Sequence, residues 1–140
     1  MANLAYGDLV QLTDSKGRKH TFTLVEGGEF QNHKGGIKHA DIVEQPEGSK
    51  LETTHGMTFL VYRPTLSEFV IGMPRGAQVI YPKDLAAMLM MADIYPGCNV
   101  LETGVGSGAL SMAMLRAGAN VVGVELREDF AARALSLIHI

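Results

Sequence analysis

The sequence has a single cysteine, no apolar run of bilayer length, no basic excess and no internal repeat or low-complexity segment. Each shortage closes off a class of protein. One cysteine, Cys98, cannot build a disulfide framework within the chain, and its place at a strand entrance suits a small packed residue, not a nucleophile. No stretch approaches the roughly 20 apolar residues of a membrane-spanning helix, so no membrane association is expected. The first ten residues, MANLAYGDLV, lack the basic and apolar regions of a secretory leader, and a cytoplasmic location is expected. With 12 Lys and Arg against 15 Asp and Glu, the formal net charge is −3, and no general basic field advertises nucleic acid. Any RNA binding has to use local patches. Lys16-Gly-Arg-Lys-His20 and His33-Lys-Gly-Gly-Ile-Lys-His39 are the two candidates, although on composition alone solvated turns between strands are the better reading of both.

What is present is enough for one ordinary domain or two small ones: 140 residues, 46% hydrophobic and 19% charged. Residues 6–13 and 19–25 alternate like half-buried strands, and Asp14-Ser-Lys-Gly17 between them is turn chemistry, which makes a hairpin. Gly27-Gly28 and Gly35-Gly36 punctuate short strands near 29–33 and 37–39, and strands at 50–54 and 57–63 flank His55-Gly56. This spacing predicts a compact antiparallel barrel or sandwich over residues 1–63. His33, His39 and Asp41 lack a third firmly spaced ligand, so no metal is expected. The character changes at Pro64. Thr65-x-x-Glu68 is a capping box ahead of a helix that Pro74-Arg75-Gly76 ends. Residues 78–81 read as a short strand or extended segment, and a helix is predicted from Asp84 to Ile94, its methionines packing on a sheet. Residues 64–140 then follow strand, helix, strand and the start of another helix: an α/β pattern.

The most informative stretch is Val100-Leu-Glu-Thr-Gly-Val-Gly-Ser-Gly-Ala-Leu110. A strand ends in a glycine-rich turn and runs straight into the helix Ala109–Ala117, which Gly118 stops. Gly104, Gly106 and Gly108 let a ligand approach the backbone, and the helix N-terminus offers unpaired N–H groups. Two nucleotide cofactors fit. Gly104-x-Gly106-x-x-Ala109 satisfies the dinucleotide fingerprint, which leaves an NAD-dependent oxidoreductase as one reading. Glu102-x-Gly104-x-Gly106-x-Gly108 resembles motif I of the class I S-adenosylmethionine methyltransferases. Glu102 favours the second, because a carboxylate at the strand end repels a pyrophosphate and attracts an ammonium and a sulfonium. Glu125, after Val121-Val-Gly-Val124, supplies the acid that either cofactor needs for its ribose hydroxyls.

The run Arg63-Pro-Thr-Leu-Ser-Glu-Phe-Val-Ile-Gly-Met-Pro-Arg-Gly-Ala-Gln-Val-Ile-Tyr-Pro-Lys-Asp84, with Glu26-Gly-Gly-Glu-Phe30, His33-Lys-Gly35 and the glycine loop, is more discriminating. Together they resemble the bacterial and archaeal tRNA (adenine-58-N1)-methyltransferases over about residues 5–134. The resemblance implies a small N-terminal β domain, a Rossmann-like class I methyltransferase domain, a homotetramer, S-adenosyl-L-methionine as cofactor, and methylation of N1 of an adenine in the tRNA T-loop. It implies that Ser107, Gly108, Ala109 and Leu110 surround the methionine moiety, that Gln78 approaches the cofactor and that Glu125 holds its ribose. Tyr81 takes the place of an aromatic at the pocket mouth, where it could stack on the extruded base, although core packing at a strand end also explains it.

Two departures go with the resemblance. The family's catalytic Asp follows the fourth strand of a seven-stranded sheet, beyond Ile140, so residues 1–140 alone are expected to be inactive. After Ala134 the family's polar helix gives way to Leu135-Ser-Leu-Ile-His-Ile140, which reads as the foreign or frame-shifted end of a fragment. A third reading, that residues 1–63 act as a non-catalytic tRNA-docking or assembly module, stays open.

Overall fold

A computed structural model describes residues 3–74 and 76–138. They fall into two compact units, the first ending at Thr65 and the second starting at Leu66. The first is built from β1 (Leu9–Asp14), β2 (Lys19–Thr23), β3 (Glu29–Asn32), β4 (Gly35–Lys38), β5 (Lys50–Glu52) and β6 (Thr58–Tyr62). Four of these make an antiparallel sheet in the order β2-β1-β6-β5, and β3 and β4 form a separate hairpin. Alternation drives both. Val10 and Leu12 of β1 and Phe59 and Val61 of β6 point to one side, where Leu24, Ile37 and Ile42 join them in a single core. An aromatic stack bridges sheet and hairpin: Phe22 lies parallel to Phe30 at 5.5 Å, and Phe30 meets Phe59 edge-on at 5.6 Å.

The strands differ from the sequence reading at their ends. The first begins at Leu9, not Tyr6, because Gly7 at φ +93° makes a turn there. Gly35 and Gly36 lie within β4, paired with Asn32 and Gln31. His39 leaves the strand for a 3₁₀ turn over His39–Asp41. It is buried, not at the surface: its Nδ1 accepts the Val25 N–H at 3.0 Å, and its ring stacks on Phe22 at 4.8 Å.

The second unit runs α1 (Leu66–Gly72), α2 (Pro82–Met91), β7 (Asn99–Thr103), α3 (Ala109–Arg116), β8 (Asn120–Val124) and α4 (Glu128–Ile138). Glu68 stands in the first turn of α1, the position the capping box gives it. Residues 78–81 form no strand, and α2 starts at Pro82, two residues before the predicted Asp84. The proline ring presets the helical φ and its missing N–H is no loss at a helix start. The helix stops short of the predicted Ile94, ahead of Asp93 with its positive φ. Val70, Met73, Leu85, Ala109, Met112 and Ala113 form the core of this unit. Met112 and Met114 of α3 are buried, whereas the methionines of α2, expected to pack on a sheet, are exposed, Met90 and Met91 by 82% and 87%. The helix turns Leu85 and Leu89 inward, and these methionines fall on its other side.

Strands β7 and β8 pair in parallel, Val100 with Val121 and Glu102 with Gly123. Leu101, Val122 and Val124 share the opposite face and are exposed.

At the lower end of the first unit, Arg63 gathers the chain. Its guanidinium meets Asp8 at 2.5 Å and Glu47 at 2.8 Å and also donates to the Asn3 carbonyl at 3.2 Å. Replacing Arg63 with Met leaves two half-buried carboxylates facing each other. The expected loss is about 1–3 kcal/mol of stability, read from the urea midpoint of the first unit. The exposed pair Lys83–Asp84 should contribute no more than about 0.5 kcal/mol, and equal losses at the two sites would refute the staple. Asp14 supplies a pH test. Burial alone would raise its pKa, but N–H groups of Arg18 and Lys16 and the Arg18 guanidinium more than offset this and lower it. Its contribution is present above the unfolded value of about 3.9 and is lost as pH falls below that. An Asp14→Asn variant should therefore show a flatter acid limb in a stability–pH profile.

Candidate cofactor site

The site begins with the register of β7 and β8, which brings the two strand ends together. Thr103 lies opposite Val124, so the turn after β7 meets the residue after β8. The Gly104 N–H donates to the Val124 carbonyl at 2.7 Å. The Gly106 N–H donates to Glu125 Oε2 at 2.8 Å, and Oε1 of the same carboxylate accepts the Arg127 N–H at 3.0 Å. These two N–H groups, that of Arg127 first, hold the Glu125 carboxyl below its usual range. The Leu126 N–H adds to their effect, and a carboxylate with about four acceptor positions retains capacity for a further donor.

Gly108 then starts α3 in the left-handed region, φ +79°. A Cβ there would be strained and would also come within 3.2 Å of the Ala134 side chain of α4. Glycine is required on both counts. Ser107 and Ala109 beside it are buried. The Ala109 N–H reaches Ser107 Oγ only at 3.4 Å, and the Leu110 N–H lies in the first turn, where a helix has no acceptor of its own. Donors therefore face the turn, and a carboxylate stands beside it.

Glu102 lies elsewhere. It is buried on the side of β7 that faces α3, and its Oε2 accepts the Ser111 hydroxyl in a very short hydrogen bond. Burial pushes its carboxyl up, and the Ser111 bond works against that. Its one hydrogen-bond partner among those described is in α3, not in the glycine turn. Sequence reasoning missed Ser111. The only trace is a hydroxyl in the otherwise apolar ALSMAML run of α3.

Gln78 and Tyr81 line a cavity of about 260 Å³ together with Gly76, Ala77 and Val79. This segment approaches the glycine turn: a Cβ on Gly106 would lie 3.8 Å from that of Ala77. Tyr81 is exposed and stands at the N-cap of α2, so core packing does not account for it. Along β7, Met88, Leu89, Leu110 and Met114 line a more apolar groove of about 510 Å³, which Glu102 also borders.

Comparison with known proteins agrees with this geometry. Residues 3–50 match the TrmI-like N-terminal family. The tRNA (adenine(58)-N(1))-methyltransferase TrmI of Thermus thermophilus is 40% identical over 114 residues, 81% of this chain and 45% of that protein. The catalytic subunit TRM61 of the Kluyveromyces lactis enzyme is 28% identical over 127 residues, 87% of this chain and 31% of that protein. The chain thus spans less than half the length of these curated relatives. Among solved structures, an SAM-dependent O-methyltransferase from Thermotoga maritima superposes with a TM-score of 0.91 at 30% identity, covering 99% of this chain and 53% of that one. The tRNA (m1A58) methyltransferase TrmI from Aquifex aeolicus does so at 0.78 and 30%, covering 96% and 52%. The fold is therefore that of the α/β SAM-dependent methyltransferases, with a separate antiparallel β unit before it. Residues 56–135, more than half of the chain, match the model of the tRNA methyltransferase complex GCD14 subunit, and it is to this family that the chain belongs.

Proposed function

We propose that the chain is part of an S-adenosylmethionine-dependent enzyme that methylates N1 of an adenine in the tRNA T-loop, with residues 1–63 as its β domain and 64–140 as the first part of its catalytic domain. The observation that carries this is the Glu125 carboxylate held against the glycine turn by the Gly106 N–H, with acceptor capacity to spare. Family membership and the named activities of the relatives add the substrate. A cytoplasmic homotetramer belongs to the same proposal.

The residues present fit the cofactor. Glu125 would accept its ribose hydroxyls. Ser107, Gly108, Ala109 and Leu110 would enclose its methionine end, where the first-turn N–H groups suit a carboxylate. Gly104 and Gly106 leave the approach open, and Gln78 would close it from the side. Glu102 would act from below, fixing α3 through Ser111. Bound there, S-adenosylmethionine supplies an electrophilic methyl group.

The work left to the protein is mainly positioning. Neutral adenine already has a lone pair on N1, so no base has to create the nucleophile. A T-loop base has to leave its stack to be modified, and the exposed ring of Tyr81 offers a face to receive it. N1-methylation makes the base cationic, and a carboxylate near it would accept the excess charge. Neither nearby acid is placed for that, since Glu102 is buried against Ser111 and Glu125 is tied to the turn. The reacting carboxylate is assigned to the part of the enzyme outside residues 1–140.

The test is direct titration, with S-adenosylhomocysteine and with NADH, of a version completed to the length of its relatives, since residues 1–140 alone are expected to bind the cofactor weakly at best. The first is expected to bind in preference. Glu125→Ala should weaken it by about 1.5–3 kcal/mol, the worth of hydrogen bonds to a charged group. Preference for NADH, or an unchanged dissociation constant in the variant, would overturn the assignment.

A further inference from the structure

The two basic patches of the sequence lie apart in the chain, but the first unit brings them to one end. Strand β1 pairs antiparallel with β6, Asp14 opposite Phe59, so the turn after β1 stands beside the turn before β6. The turn of the β3–β4 hairpin is fastened to that second turn. Thr53 Oγ1 donates to the Lys34 carbonyl at 2.6 Å, the Thr54 N–H donates to the Gly36 carbonyl at 3.2 Å, and the Gly36 N–H donates back to Thr54 Oγ1 at 3.3 Å. Three hairpin tips thus form one surface.

Side chains also fix the shape of these tips. Asp14 Oδ1 accepts the N–H groups of Lys16 and Arg18, both at 2.9 Å, and Asn32 Oδ1 accepts that of Lys34 at 2.7 Å. Lys16, Arg18, Lys19 and Lys34 stand at this end, with the exposed imidazoles of His33 and His55. Among the described residues Asp14 (neutralised by Arg18), Glu52 and Glu29, whose carboxylate reaches Gly36, oppose them. The opposite end carries Asp8, Glu26, Asp41, Glu44 and Glu47, of which Asp8 and Glu47 share the Arg63 guanidinium. A net-acidic chain therefore has one pole that is locally basic, rigid and rich in hydrogen-bond donors.

We propose that this triple-hairpin end is a docking face for the phosphate backbone of RNA, with Lys16 and Lys34 as its principal contacts. The inference rests on the tRNA reading above and adds where on the β unit the nucleic acid lies. Its recognition is chiefly of charge and shape: among the described residues no Phe, Tyr or Trp ring is exposed at the tips, and only the imidazoles of His33 and His55 could stack on a base, so binding should depend little on sequence. The acidic opposite pole keeps the strand from lying along the whole unit.

The test measures binding of a fluorescent tRNA transcript to the chain between about 50 and 200 mM salt. Lys16→Ala with Lys34→Ala should weaken binding at least about tenfold at the lower salt and reduce the log–log salt slope by about 2, one per lost phosphate contact. Lys38→Ala, away from the tips, should leave both unchanged, and the Gln versions at 16 and 34 should repeat the loss. Unchanged affinity and slope in the double variant, or no tRNA binding by the unaltered chain at the lower salt, would overturn the docking face. Titrating the same proteins, completed to the length of their relatives, with S-adenosylhomocysteine separates the two questions. Tip-dependent tRNA binding without cofactor binding leaves the docking face standing and removes the methyltransferase reading. Cofactor binding with tip-independent tRNA binding does the reverse.

Discussion

The second unit depends on one carboxylate being held between two strand ends. Glu125 accepts N–H groups from Gly106 and Arg127, so the turn after β7 and the turn after β8 share a single anion. Parallel pairing puts the ends of β7 and β8 side by side, because parallel strands finish at the same edge of a sheet. A ligand at that edge then meets the donors of a helix N-terminus on one side and an acceptor on the other. The fold creates the site as a by-product of its connectivity, and glycines keep it open.

Two acids in this small region are driven in opposite directions by their surroundings. Glu125 lies among N–H donors and stays readily ionised, which suits a hydroxyl acceptor. Glu102 is taken out of water under α3, and a single hydroxyl only partly makes up for that. Its value lies in position: with Ser111 it pins the first turns of α3 to β7, directly below the glycines. Under the proposed function, fixing a helix N-terminus serves a reaction whose main demand is alignment.

Much of this was legible in the sequence for a definable reason. Glycines at 104, 106 and 108 are read easily because positive φ and close approach leave few other residues possible, and all three do take positive φ. Hairpin turns such as Asp14–Gly17 carry their own local chemistry, and so does the Pro96-Gly97 break before β7. What was not legible depends on partners distant in the chain. His39 is spaced like a surface residue, yet it is buried by Val25 and Phe22, 14 and 17 positions before it. Ser111 gains its role only when β7 passes beneath α3. The methionines of α2 fit a helix pattern, but which of them face the core is decided by how that helix packs against α3. Local rules set the elements; side-chain contacts between them assign the roles.

The same argument separates the kinds of specificity the two units can supply. The β unit presents cations on rigid turns and little else at its basic pole, and a phosphate backbone is alike at every nucleotide. Such a surface adds affinity and orientation without choosing a base. The segment from Gly76 to Tyr81, by contrast, borders both the glycine turn and a small cavity, and the exposed Tyr81 ring stands there. On the proposed function, discrimination of adenine then falls to the catalytic side. A base that fits but is not carried there on its backbone gains little, and a backbone that docks without a suitable base does not react. Selectivity for one nucleotide in a folded RNA then follows from requiring both, even though neither interaction is selective enough by itself.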